Sequence, residues 1–182
     1  LPLILSVSGY CEEGSLSIQS ESDCHIVFQG LNLQSSMCPA IEVQSNVSTT
    51  IELTEYTCNM LADTIVAGYD VKYDGCIQTK GELYFDGKGT LNLNGGLKHA
   101  IYSKQGITFR GGDVTIDYAA SDAIHSKDYV CILNGNISID SIMQDGIDAD
   151  KGYIDIQGGN VYVSVHNKNR KGLQCDSTFT MS

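Results

Sequence analysis

The chain has no tryptophan, only two prolines and half as many basic residues as acidic ones, 11 against 22 in 182 residues. Each shortage excludes something. A formal charge of −11 leaves no positive footprint for a phosphate backbone, so nucleic acid is excluded as a partner. No stretch reaches the ~18 consecutive apolar residues of a membrane-spanning helix. The opening LPLILSVSG is short and alternating, which fits a first strand. Signatures of catalysis are missing as well: there is no CxxC pair, HExxH helix, phosphate-cradling glycine loop or nucleophile elbow. Arg110 and Arg170 are the only arginines available as the strong base of a polysaccharide lyase.

Glycine, by contrast, is abundant at 19 residues, scattered among short Val, Ile, Leu and Tyr runs. That pairing predicts short strands joined by tight turns. Seven cysteines and the sequons at Asn46 and Asn136 point to an extracellular or cell-surface location. An odd cysteine count leaves at least one thiol unpaired. We expect bridges among Cys11, Cys24, Cys38 and Cys58, which crowd the less regular early part, and reduced thiols at Cys76, Cys131 and Cys175.

A repeat organises the chain. Asp74-Gly75-Cys76-Ile77, His99-Ala100-Ile101, Asp122-Ala123-Ile124, Asp145-Gly146-Ile147 and Lys171-Gly172-Leu173 recur, with apolar anchors spaced 24, 23, 23 and 26 residues apart. Leu16 and Ile41 are two earlier anchors, 25 apart, and the gap of 36 from Ile41 to Ile77 predicts an insertion at 54–70. After each anchor comes an alternating pair such as Leu83/Phe85 or Ile107/Phe109. A Gly or Asn-Gly turn follows, then a second pair such as Leu91/Leu93 or Val114/Ile116. Period-2 alternation means strands with one face buried. Three short strands and three turns per repeat predict an all-β fold: a parallel β-helix (β-solenoid) of three sheets and about seven coils of 23–26 residues, forming a single domain over 1–182. The strands at both ends lack an evident cap, so the chain is expected to be a segment of a longer solenoid or to associate end to end.

The stretches GKGTLNLNGG, QGITFRGGDVTID, SDAIHSKDYVCILNGNISID and QDGIDADKGYIDIQGGNVYVSV resemble the right-handed β-helices classed as carbohydrate-binding domains. The resemblance implies a calcium-associated binder of polygalacturonate, or pectin-like, chains. Lys171 and His99 depart from the acidic or polar residue of that pattern.

Two columns of charge follow from the register. Asp117 and Asp140 are 23 apart, as are Asp122 and Asp145, so each pair stacks at one corner. Carboxylates ~4.8 Å apart repel by roughly 3 kcal/mol at an effective dielectric of about 20. A calcium ion, which takes six to eight oxygens in loose geometry, would remove that cost. Asp148 and Asp150 would add ligands from the next turn, although Asp is also a common turn residue. The second column is basic: Lys80, Lys104 and Lys127 each lie three residues after an anchor. A ladder of ammonium groups suits a polymer of uronic acids, with Tyr102 and His125 flanking it. Solvent-facing lysines also discourage edge pairing. The expected function is therefore an extracellular, non-catalytic module that binds an acidic polysaccharide. A structural or adhesive unit of a cell-surface layer or filament is the alternative. A lyase, or a hydrolase using Asp117, Asp122, Asp140 and Asp145, ranks below both.

Overall fold

A computed structural model describes residues 1–65 and 72–182. All regular elements among the described residues are strands, and every pairing between them is parallel. Among the described residues no helix is long and apolar enough to cross a membrane. The chain winds as a β-solenoid of about seven turns.

One face is a seven-stranded sheet of Leu16–Ile18, Ile41–Val43, Gly75–Thr79, His99–Ser103, Ile124–Ser126, Ile147–Asp148 and Leu173–Gln174. Its ladder pairs Leu16, Ile41, Ile77, Ile101, Ile124, Ile147 and Leu173 in one continuous column. These are the anchors of the repeat. Hydrogen bonding along the solenoid axis sets each residue over its equivalent one coil away, at about 4.8 Å. The inner columns therefore have to match in size, and Phe85 stacks on Phe109 with centroids 4.8 Å apart. The buried side chains form one apolar core running from Ile18 to Ile156.

The other two of the three faces join through one strand. Strand Cys24–Ser36 runs unbroken round a corner. Its first half pairs with Thr49–Leu53 and its second half with Cys58–Thr64, so one thirteen-stranded sheet covers both faces. In later coils the same corner is a turn held by Gly87, Gly112, Gly135 and Gly159, with φ from 80° to 102°. L side chains rarely adopt that region, which is why glycine recurs there.

The insertion expected at 54–70 is also placed differently. Cys58–Thr64 is a regular strand, in register with Thr90–Gly95 (Leu61 against Leu93). The corner between Leu53 and Cys58 is longer than the one between their partners Gly87 and Thr90, most of the extra residues follow Thr64, and 66–71 lie outside the described residues. Thr54–Thr57 forms the corner of that coil, and Tyr56 there takes φ 63°.

All seven cysteines are free thiols, which corrects the expected bridges among Cys11, Cys24, Cys38 and Cys58. Coil winding sends these four to different places. Cys11 and Cys58 are exposed, Cys24 is buried at the start of its strand, and Cys38 lies 2.9 Å from the Ser35 hydroxyl.

Two outcomes follow. Phe109→Ala removes half of a buried stack and should cost about 3–5 kcal/mol of unfolding free energy, measured by urea denaturation. Alkylation in denaturant without reductant should add seven adducts to the intact mass.

Candidate functional site

The site lies on the outer side of the seven-stranded face. Alternation turns each anchor inward and the next residue outward, so Gln78, Tyr102, His125, Asp148 and Gln174 share one outer column. Two residues before the anchor, at the corner, stand Gly75, His99, Asp122 and Asp145, with Gly75 paired to His99. At Gly75 a Cβ would stand 2.9 Å from the Tyr102 Cβ, so glycine is what lets that ring settle.

Although these residues face outward, several are buried. His99 is 3% exposed, Asp122 5% and Tyr102 5%. They cover one another: His99 stacks on His125 at 4.5 Å, and Tyr102 on His125 at 5.7 Å. Asp122 ties the stack together. Its Oδ2 lies 3.2 Å from His125 Nδ1 and 3.3 Å from His99 Nδ1, while its Oδ1 accepts the Asp145 N–H at 2.9 Å. Asp148 Oδ2 reaches His125 Nδ1 from the next coil at 3.1 Å. Only His125 meets Asp122 with hydrogen-bond geometry; the buried Nδ1 of His99 has no hydrogen-bond partner.

The two imidazoles titrate in opposite directions. Burial, the largest influence on His99, pushes its pKa below the ordinary value. Burial opposes charge at His125 too, but Asp122 and Asp148 outweigh it and raise that pKa to about 9. Burial likewise works against the Asp122 carboxylate, yet contacts with His125, then His99, and the Asp145 N–H hold it well below the usual carboxylate range. At neutral pH the stack is an imidazolium between two carboxylates, with a neutral imidazole behind it.

Beside the stack a cleft of about 210 Å³ opens, lined by Lys72, Tyr73, Asp74, Lys80, Tyr102 and Lys104, with Glu42 and Gln78 also on its wall. The carboxylates here are tied down: Gln78 Nε2 donates to Glu42 at 2.7 Å, and Lys98 pairs with Asp74 at 2.7 Å. Lys80 and Lys104 are exposed and carry no ion pair among the described residues.

Of the expected sugar-binding residues, Lys80, Lys104 and Tyr102 therefore meet at the cleft. Lys127 continues the column but pairs with Asp150 at 3.1 Å, and His125 belongs to the buried stack. The expected metal residues disperse. Asp122 and Asp148 face the imidazole, Asp145 Oδ1 accepts the Lys171 N–H, Asp140 contacts His166 at 2.8 Å, and Asp117 is exposed. Among the described residues, the group of three whose ligand atoms converge, all within 4.8 Å, is His99, Asp122 and His125. His99 is legible only by laying consecutive coils side by side, because the pair joins the corner position of one coil to the strand position of the next. Lys72 and Tyr73 lie in the long link, where no repeat indexes them.

The structure is that of a parallel β-solenoid with a polar cleft on one outer face. The chain belongs to the family of carbohydrate-binding domain-containing proteins, whose match covers residues 4–182. A carbohydrate-binding domain-containing protein of Acetivibrio thermocellus is 26% identical over 121 residues, 63% of this chain. The match spans 42% of that relative's length. The polysaccharide lyase-like protein from C. thermocellum, solved as a gadolinium derivative, has a TM-score of 0.82 at 22% identity, over 100% of this chain and 85% of its own. That likeness is one of fold.

The titration has a testable consequence. His125 has a folded pKa of about 9, above its ordinary value near 6.5, so its charge stabilises the fold below pH ~6.5. That contribution is lost as pH rises through about 9. Denaturation of His125→Gln against the parent should show a gap of about 2–3 kcal/mol at pH 6 that shrinks steadily towards pH 9.5.

Proposed function

We propose that the cleft holds a segment of polysaccharide, that acidic, pectin-like chains are preferred, and that binding occurs without turnover, outside the cell. The observation that carries this reading is the lining of the cleft. In a protein of net charge −11, Lys72, Lys80 and Lys104 gather around Tyr102 and Tyr73. Aromatic rings offer an apolar face with a polar tip, and ammonium groups set at the coil spacing suit carboxylates repeated along a chain. A ligand running along the solenoid axis meets both column lysines. The family supports a carbohydrate ligand.

Binding without turnover is supported by the state of the groups in the cleft. Burial, then Asp74 and Asp150, push the Tyr102 hydroxyl up to about 12, so it keeps its proton at neutral pH. Glu42 and Asp74 are engaged by Gln78 and Lys98. Tyr102, Glu42 and Asp74 are thereby poorly disposed to abstract a proton from carbon.

Calcium belongs to the same proposal. Asp117 and Asp140 are exposed, and Asp145 and Asp150 half-buried. Hard carboxylate oxygens of this kind are what the ion takes, and a uronate can supply the rest. Calorimetric titration of calcium, with and without polygalacturonate, tests it: heat of uptake is expected, and its absence removes calcium from the reading.

An exposed ion pair contributes at most ~1 kcal/mol, so affinity should be weak and sensitive to salt. Lys104→Glu should lower retention on immobilised polygalacturonate about fivefold or more at low salt, with the difference fading at high salt. Tyr102→Ala should lower retention at both. Failure of the parent chain to be retained, with calcium present, would overturn the reading in favour of a structural solenoid. Release of unsaturated or reducing sugar ends would replace it with an enzyme.

A further inference from the structure

We propose that His99, Asp122 and His125 form a site for a divalent transition-metal ion such as zinc, separate from the lysine-lined cleft and from any calcium bound by the aspartates. The spacing is the first support. Zinc bound tetrahedrally at 2.0–2.1 Å keeps its ligand atoms about 3.3 Å apart. The two nitrogen–oxygen edges here are 3.3 and 3.2 Å. The second support is the orphaned atom. His99 is 3% exposed, and its Nδ1 has no hydrogen-bond partner while standing against the Asp122 carboxylate. A buried nitrogen without a partner is rare in a folded protein, and a bound cation would satisfy it.

The donor set selects the ion. Two imidazole nitrogens and one carboxylate favour zinc and its neighbours over calcium or magnesium, which take oxygen. The surroundings complete the site. The Asp145 N–H holds Asp122 Oδ1, which leaves Oδ2 for the ion, and Asp148 Oδ2 lies 3.1 Å from His125 Nδ1, beside the convergent group of three. Neither Asp122 nor Asp148 has a lysine or arginine partner among the described residues, so a dication balances two carboxylates that imidazole alone serves.

Binding has one geometric requirement. The rings are stacked 4.5 Å apart and 19° from parallel, whereas an ion lies in the plane of each imidazole that binds it. The rings must therefore fan open about their Cβ–Cγ bonds, which moves the edge of His125 against Tyr102, 5.7 Å away on the cleft wall.

The test reads the metal directly and so does not depend on polysaccharide binding. Zinc titrated calorimetrically into the whole chain should bind at one equivalent, with cobalt giving the visible absorption of a tetrahedral nitrogen–oxygen site. His99→Phe keeps the stack but removes the donor, and should weaken zinc at least ~tenfold, as should Asp122→Asn. His166→Ala, which alters the exposed histidine beside Asp140, should leave zinc unchanged. Nitrogen-15 spectra of the unmutated chain give a readout that no folding defect can mimic, since zinc should shift the ring nitrogens of His99 and His125 and spare His166. Unshifted His99 and His125, loss of binding through His166→Ala, or calcium shifting the same two rings as strongly as zinc would each overturn the proposal.

Discussion

The parallel hydrogen-bond ladder along the solenoid axis is the constraint on which everything else depends. It fixes each residue about 4.8 Å above its counterpart one coil away, so a side chain chosen once is answered in the next coil. On the inner side the answer is a match in size, and Ile77, Ile101, Ile124 and Ile147 are fully buried in one column. One misfitting residue would be felt by both neighbouring coils, because a close-packed interior has no slack to absorb it.

On the outer side the same ladder makes repetition of charge costly, and the chain answers by alternating sign or by ring stacking. Lys127 is followed by Asp150 and pairs with it; His99 is followed by Asp122, and His125 by Asp148. The uncharged polar side chains do the same with hydrogen bonds, as in Asn160 to Asn136 to Asp113. Where cations repeat without an opposite partner, at Lys80 and Lys104, the surface forms a cleft with Tyr102 at its side. The break in alternation distinguishes that stretch of the face from the rest of the outer surface.

The buried stack and the cleft share Tyr102. On one side its ring lies against His125, and on the other it lines the cleft. The position of the Tyr102 ring is therefore set by the packing of two imidazoles and one carboxylate, so a change at Asp122 or Asp148 reaches the cleft wall. The end of the long link, Tyr73 and Asp74, closes the opposite side, with Lys98 anchoring Asp74.

The fold was legible because a solenoid writes its structure into the sequence as a period. The spacing of the anchors and the glycines at one corner were enough to set the inner columns, and the apolar face of every strand followed from alternation. Two features of the fold were not legible. Cys24–Ser36 runs through a corner that later coils turn, and Cys58–Thr64 keeps its register despite the long gap in anchors, because ladder pairing overrides local spacing. The columns of Lys80, Lys104 and Tyr102 followed from the sequence as well, since register alone stacks them. Which charges meet was decided only in three dimensions. A period places Cα atoms, but side chains cross between columns. Asp122 turns to the imidazoles of His99 and His125 and not to its fellow carboxylates, since pairing with a cationic ring offsets the cost of burial and a second carboxylate would add to it.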